Sequence, residues 1–194
     1  MQVLEKKQHK RLSLLESSYE LFSNKGVHDT SIDDIVKKAK VAKGTFYLYF
    51  KDKYDILDRL VMRKSAAVIE AGIAEMARAD AQNPMSFEDR FLFFVDYAIN
   101  YLQNDRKLLT ILRKNLSWGI LEATIHNTEA KEAIDELYCE LERRGHDHEN
   151  AKQILYLVLE MAGSACYSTI IDGQPCTIEE LKPTLYQMIR KMLQ

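Results

Sequence analysis

Residues that interrupt helices are scarce in this chain, which contains 3 prolines and 7 glycines among 194 residues. Proline removes a backbone donor and glycine raises the entropic cost of ordering the backbone, so both tend to break helices. Their scarcity favours long helices and disfavours a β fold with many turns. Apolar residues make up 46% of the chain, enough for a buried core. We therefore predict an all-α protein.

Apolar residues recur at three- and four-residue steps in the first quarter of the chain, as expected for amphipathic helices. The first such pattern predicts a helix over about residues 9–24, which Gly26 would end. A second, short helix would begin at Thr30 or Ser31, whose hydroxyls can cap it. A longer helix would follow Asp52. Two short helices separated by three or four residues and packed on a longer one make a helix-turn-helix.

The stretch AKGTFYLYFKDK, residues 42–53, combines rings and lysines on a short piece of chain. Phe46 and Phe50 are expected to be core residues, but the side chains around them cannot all fit inside so small a bundle. An outward Tyr47 between cations suits contact with a DNA phosphate or a thymine methyl group. Residues 1–53 hold eleven Lys or Arg against seven Asp or Glu, while the remainder holds sixteen against twenty-two. A basic end on an acidic body indicates that this end meets a polyanion.

The spacing of residue types over residues 30–57 is a more specific signal than the charge. It reads T-x-I-x-x-I-x-x-x-A-x-V-x-x-G-T-F-Y-x-Y-F-x-x-K-x-x-x-L. This pattern resembles the DNA-binding segment of the TetR family of transcriptional regulators and covers about the first 60 residues. The resemblance implies an N-terminal three-helix domain, residues 1–55, with its helix-turn-helix at about 31–50. It also implies a C-terminal helical bundle domain, residues 56–194, that binds a small molecule and forms a homodimer.

The resemblance also implies which residues contact double-stranded DNA. Lys43, Gly44, Thr45 and Tyr47 would lie at the major groove, and Thr30, Ser31, Tyr49 and Lys53 would hold the phosphate backbone. Two positions depart from the family pattern. Lys40 stands where glycine is frequent, and a left-handed lysine there would cost about 1 kcal/mol. Ala42 stands where Ser or Thr is frequent, and it lacks a side-chain cap of about the same value.

Aromatic residues cluster between residues 91 and 101, and ring-lined helical bundles often enclose an apolar cavity. Glu160 is the one charged residue in the apolar run 154–166, where it would pair with a cation or recognise a ligand. The candidate ligand-pocket residues are Phe94, Tyr97, Tyr101, Trp118 and Glu160. Each ring is also compatible with an ordinary place in the core.

The apolar run from Ile154 to Ile171 covers too many faces for a helix at the edge of a monomer. Its own domain can bury one side, and a second copy would bury another. With the last helix, this predicts a four-helix bundle between two chains, through about residues 151–172 and 177–193. The alternative is a central helix surrounded by its own chain.

Other classes of protein have less support. The chain lacks a Gly-x-Ser-x-Gly elbow, a phosphate-binding loop and a paired-histidine zinc helix, so we expect neither an enzyme nor a cofactor or metal. Cys139, Cys166 and Cys176 are odd in number and widely spaced, as in reduced cytoplasmic proteins. His146 and His148 would point to different sides of a helix. Neither a membrane span nor a secretory signal is expected.

The sequence therefore predicts a sequence-specific DNA-binding transcriptional regulator, a ligand-responsive repressor released from a palindromic operator by a small molecule. An effector would act by changing the separation of the two recognition helices, because half-sites lie at a fixed distance on the duplex. A helical enzyme with its site in the C-terminal cavity is one alternative. A helical adaptor whose basic end binds an acidic protein is another.

Overall fold

The computed structural model describes residues 2–128 and 130–194. These residues form α-helices and one π-helical segment and contain no β-strand, which confirms the all-α prediction. The chain divides into two compact units, one ending at Arg63 and the other beginning at Lys64. The first unit contains α1 (Gln2–Lys25), α2 (Ile32–Ala39), α3 (Lys43–Tyr47) and the beginning of α4 (Lys53–Gln82).

The second unit contains the rest of α4 and the remaining helices. They are α5 (Phe87–Asn104), α6 (Arg106–Asn115), α7 (Trp118–His126), α8 (Ala130–Arg143), α9 (His148–Cys166), the π-helical segment Tyr167–Asp172 and α10 (Ile178–Met192). Hydroxyl or carboxylate side chains cap five of these helices, since Ser86, Asp105, Ser117, Asp147 and Thr177 each accept a hydrogen bond from a first-turn amide.

Helix α1 begins seven residues earlier than its apolar pattern predicts. The added residues include Leu4, Glu5, Lys6 and Lys7, which have high helix propensity, but residues 6–11 are exposed and show no apolar stripe. Periodicity reports which face of a helix is buried, so it misses a solvated helical turn. The buried stripe begins at Leu14, which is fully inaccessible to solvent.

Helices α1 and α2 run antiparallel. Lys25 near the end of α1 pairs with Asp34 at the start of α2 at 2.7 Å, and the Ser13 hydroxyl donates to the Ala39 carbonyl at 3.3 Å. Ser31 caps α2 in a reciprocal capping box with Asp34. The cap and the Lys25 pair together hold the pKa of the Asp34 carboxyl well below its usual range, with the hydrogen bond from Lys25 the larger cause. The second helix is therefore fixed at both ends.

The turn after α2 depends on a strained lysine. Lys40 adopts the left-handed conformation, with φ 54° and ψ 43°, and its amide donates to the carbonyls of Lys37 and Val36. A side chain at such a position costs about 1 kcal/mol relative to glycine. Ala42, two residues after Lys40, lies at the N-cap of α3 and makes no side-chain capping hydrogen bond, as the sequence predicts.

We expect Lys40→Gly to raise the free energy of unfolding by about 1 kcal/mol, because glycine adopts positive φ without steric cost. Lys37→Gly is the matched control. Lys37 is an exposed residue in the helical part of α2, where glycine is expected to cost up to about 1 kcal/mol. Urea unfolding of both variants measures the two effects. Equal destabilisation by both substitutions would contradict the strain assigned to Lys40.

The core of the first unit is built around two rings. Phe46 is fully buried and Phe50 is 2% exposed, and their ring centroids lie 5.6 Å apart. Ile56 and Leu60 of α4 are buried in the same unit. These residues confirm that the two phenylalanines of the aromatic stretch are core. Between them, Tyr47 and Leu48 are exposed and Tyr49 is partly buried.

Helices α9 and α10 share the core of the second unit with α5 and α8. That core includes Leu92, Ile99, Leu137, Val158 and Ile189. Pro183 predicts a local kink in the last helix or a later start. The start is not delayed, since α10 begins at Ile178 and continues through Pro183. The capping box of Thr177 and Glu180 holds the first turn, so the helix is already established before the proline.

By length and composition alone, the segment His148–Asp172 is long and apolar enough to cross a membrane. In the single chain, 28% of its apolar window is buried. Core helices of soluble proteins have the same composition, so this finding carries little weight for a membrane. More informative is the apolar surface that stays uncovered: Tyr156 is 43% exposed and Leu157 is 52% exposed. On α10, Met188 is 38% exposed.

Candidate DNA-binding surface and ligand cavity

The outer side of α3 presents most of the residues expected at a DNA groove. Lys43 and Gly44 are exposed, Tyr47 is 54% exposed, and Thr45 is partly buried. The edge of the Phe46 ring packs against Tyr47 at a centroid distance of 5.5 Å, which orients the tyrosine from below. The sequence predicts a recognition helix over residues 43–49, but α3 ends at Tyr47 and is shorter.

Leu48 is the most exposed large apolar side chain among the described residues, at 79%. It follows directly after α3, beside Tyr47. An apolar side chain at this place can contact a thymine methyl group. Leu48 is not among the predicted DNA contacts, although a signal for it was available. It is an aliphatic residue between two tyrosines, and its neighbours Phe46 and Phe50 already fill the core.

Lys43 is engaged with an acidic neighbour in the free protein. Its Nζ lies 2.9 Å from Asp33 Oδ1, and the hydrogen bond to Asp33 raises the pKa of Lys43. Both side chains are more than half exposed, so the pair is weakly held. Lys43 can therefore exchange Asp33 for a phosphate or a guanine acceptor.

Three of the predicted phosphate contacts have partners inside the protein. Thr30 is 1% exposed and donates its hydroxyl to the Gly26 carbonyl at 2.7 Å. Ser31 caps α2. Lys53 Nζ donates to three backbone carbonyls in the loop between α1 and α2: Val27 at 3.0 Å, His28 at 2.8 Å and Thr30 at 3.3 Å. Tyr49, the fourth, is partly buried beside Phe50.

A cavity of about 240 Å³ lies inside the second unit, between α4, α5, α8 and α9. Its walls are aliphatic and aromatic. Ile73 comes from α4, Phe91 and Phe94 from α5, Ile134 from α8 and Leu159 from α9. Among the described residues that line it, the charged ones are Arg90 and Glu136. Such a cavity suits a long aliphatic molecule.

Small residues create the space in this cavity. Ala98 on α5, Ala133 on α8 and Ala162 and Gly163 on α9 line it where larger residues would fill it. These positions are not among the pocket residues predicted from the sequence, which are aromatic or charged. Their signal was the occurrence of small residues at helical spacing among large apolar ones.

The candidate pocket residues named from the sequence do not all converge on this cavity. Phe94 lines it. Tyr97 and Tyr101 instead line a separate, more polar depression along the neighbouring face of α5. Trp118 packs edge-on against Tyr156 at a centroid distance of 5.8 Å. Glu160 pairs with Arg113 at 3.6 Å, the cationic partner expected as one of its two roles.

Gly72 sets the position of Phe94. A Cβ atom at Gly72 would lie 2.8 Å from the Phe94 ring and 3.0 Å from the Tyr97 ring. No real side chain tolerates such distances, so α4 approaches α5 this closely because residue 72 is glycine. The approach places one ring of α5 in the wall of the cavity.

Cys166 lines the cavity and is 2% exposed. Burial raises the pKa of its thiol to about 11. At neutral pH it is therefore a protonated, apolar lining group and a poor nucleophile. Cys139 is exposed and Cys176 is partly exposed, and all three are free cysteines.

The two histidines near the start of α9 have separate partners. His146 Nδ1 lies 2.6 Å from Asn150 Oδ1, and His148 Nδ1 lies 3.2 Å from Glu142 Oε1. Over residues 2–128 and 130–194, no group of three or more His, Cys, Asp or Glu side chains is placed to hold a metal ion.

Residues 14–60 match the family model described as bacterial regulatory proteins, tetR family. The chain is 30% identical over 148 residues to the fatty acid metabolism regulator protein of Bacillus subtilis (strain 168), covering 68% of this chain and 76% of the relative. It is 26% identical over 192 residues to the HTH-type transcriptional regulator YdgC of the same organism, covering 93% of each.

Solved structures share the fold at lower identity. FadR from Bacillus subtilis, solved in complex with stearoyl-CoA, superposes with a TM-score of 0.67 at 18% identity, covering 92% of this chain and 96% of FadR. A tetR-family transcription regulator from Shewanella sp. PV-4 superposes with a TM-score of 0.72 at 15% identity, covering 93% and 95%. These likenesses extend the fold of the regulators over both units of the chain.

Proposed function

The chain belongs to the TetR family and is a ligand-responsive, DNA-binding transcriptional regulator, and from this we propose that its ligand is a long-chain fatty acyl molecule. The observation that carries the proposal is the 240 Å³ cavity with apolar walls. A relative with 30% identity is a fatty acid metabolism regulator, and this relative supports the same ligand class. Each buried methylene contributes about 0.8 kcal/mol, or about fourfold in affinity.

We propose that residues 1–55 are the DNA-binding domain and that Lys43, Gly44, Thr45, Tyr47 and Leu48 lie in the major groove. The exposure of α3 and the pairing of Lys43 with a displaceable carboxylate support this assignment. Thr30, Ser31 and Lys53 contribute by holding the loop and α2 in place. Tyr49 is assigned to the phosphate backbone.

We propose that residues 56–194 bind the ligand and form a homodimer through α9 and α10. The uncovered apolar side chains Tyr156, Leu157 and Met188 support this interface, because large exposed apolar groups on two neighbouring helices favour association. A two-fold axis would pair the helices with their copies in a four-helix bundle. The dimer fixes the separation of the recognition helices and hence the spacing of the half-sites.

Helix α4 belongs to both units. Its first turns bury Ile56 and Leu60 in the core of the first unit, while Ile69, Ile73 and Met76 line the cavity. A ligand that displaces these three residues would shift α4 and alter the spacing of the recognition helices. The protein, a cytoplasmic regulator, would then dissociate from its palindromic operator. Its relatives are regulators and not enzymes, so the cavity serves as a sensor rather than a catalytic site.

The test begins with DNA sites selected from a random pool by the full chain, followed by gel shifts with acyl-CoAs from C4 to C18. We expect release of the DNA by long chains, an increase of about fourfold in potency per methylene until the cavity is filled, and no release by CoA alone. Equal potency of C4 and C16 acyl-CoA would refute the acyl proposal. Salt-dependent binding without sequence preference would favour the adaptor alternative instead.

A further inference from the structure

The charged residues among the described lining of the cavity form an ion pair. Arg90 in the first turns of α5 and Glu136 on α8 both line the otherwise apolar walls. Arg90 Nη2 lies 3.1 Å from Glu136 Oε1. The two charges therefore neutralise each other at the boundary of the space that the chain of a ligand would enter.

The exposure of the two side chains differs. Arg90 is 31% exposed and Glu136 is 60% exposed. Partial exposure of both places the pair where the cavity meets solvent. The arginine is the less exposed of the two, and more than half of the glutamate side chain is open to water.

We propose that Arg90 binds the anionic head group of the ligand, a carboxylate or a phosphate, in exchange for Glu136. This inference deepens the proposed function and rests on it, because it assigns the head group of a ligand whose chain occupies the cavity. Glu136 acts as an internal competitor that occupies Arg90 until an anion arrives. The pair selects anionic chains over neutral ones of the same length.

The energetics of the exchange favour an anion. A guanidinium presents a planar fork of N–H donors that matches the oxygens of a carboxylate or phosphate. The Arg90–Glu136 pair is solvated and contributes little to stability. The free-energy cost of separating the pair is therefore easily offset by the new contact of Arg90 with the anion. A neutral alcohol has no charge to replace that of Glu136, and it leaves the pair intact.

A purely structural role is the competing explanation. The pair joins α5 to α8, and its loss would loosen the cavity walls. Loosening would change the affinity for every chain that enters the cavity, whatever its head group. The difference between an anionic and a neutral ligand of equal chain length therefore separates recognition from scaffolding.

The experiment measures dissociation constants of the full chain for dodecanoate and for 1-dodecanol, by isothermal titration, in three variants. Arg90→Gln is expected to weaken dodecanoate binding about tenfold or more, because a hydrogen-bonded charge partner is lost. Glu136→Gln is expected to strengthen dodecanoate binding about two- to fivefold, because the competitor is removed. Affinity for 1-dodecanol should change by less than about twofold in both.

Arg143→Gln is the matched control. Arg143 lies on α8, pairs with Glu140 at 2.8 Å, is 73% exposed and does not line the cavity. It should bind both probes as the wild type does. Parallel shifts for both probes in Arg90→Gln, or no gain for dodecanoate in Glu136→Gln, would overturn the head-group assignment while leaving the acyl-chain cavity intact. Failure of the wild type to bind either probe would overturn the acyl proposal itself, and the assignment of Arg90 with it.

Discussion

Replacing Tyr47 by alanine is expected to weaken operator binding by about 30-fold or more in the dimer. One base or methyl contact contributes about 1–3 kcal/mol of discrimination, and a two-fold symmetric dimer loses the contact twice. The fold should be unaffected, because Tyr47 is 54% exposed and the buried Phe46 beneath it remains. A gel shift at fixed salt measures the loss, and circular dichroism checks the fold.

Tyr101→Ala is the matched control for that experiment. It removes the same ring from a residue of α5 that is 37% exposed and lies in the second unit, so operator affinity should stay at the wild-type value. Lys43→Ala tests the neighbouring cation by a different readout. The slope of the logarithm of affinity against the logarithm of salt concentration should become shallower by about one per subunit. Wild-type affinity in both Tyr47→Ala and Lys43→Ala would remove α3 from the DNA interface.

The second large effect is expected from filling the cavity. Ala162→Phe places a ring in a space of about 240 Å³ whose lining includes Ala162, and it should abolish the release of operator DNA by long-chain acyl-CoA. The variant would keep binding DNA and act as a repressor that no longer responds. Overpacking costs about 1–3 kcal/mol, so a melting curve should accompany the gel shift.

Ala81→Phe provides the same change of side chain at an exposed position. Ala81 lies in the last turn of α4 and does not line the cavity, so the response to acyl-CoA should remain. Ala162→Leu adds a smaller volume and should shift the response toward shorter chains. If Ala162→Phe responds to long-chain acyl-CoA as the wild type does, the effector binds elsewhere.

The helices were predictable because their signals are local. Caps such as Ser86, Asp147 and Thr177 follow from a hydroxyl or carboxylate just before an apolar run, and the structure has all three. The start of α1 was missed because residues 6–11, which precede its buried stripe, are exposed and show no apolar pattern. The later start of α10 that Pro183 suggests is wrong, because a capping box holds the first turn before the proline.

The cavity was less predictable, because it depends on contacts between helices that are distant in sequence. Phe94 and Tyr97 look equivalent in the sequence, but the close approach permitted by Gly72 places Phe94 in the cavity wall, while Tyr97 lines the neighbouring depression. A cavity is a set of missing atoms. The alanines and glycines that create the space have no distinctive chemistry in the sequence. Aromatic residues are conspicuous in the sequence whether or not they line a cavity.

The contacts of Lys53 mean that the phenotype of a Lys53 mutant could be assigned to the wrong cause. The ammonium group of Lys53 donates to three carbonyl oxygens. A neutral residue at this position would leave those oxygens without this donor and let residues 27–30 shift. A colony screen would score that variant as unable to repress, and the lesion would be attributed to a lost bond with the double helix. Its origin would instead be a misplaced α2, detectable as faster amide exchange in this loop before any nucleic acid is added.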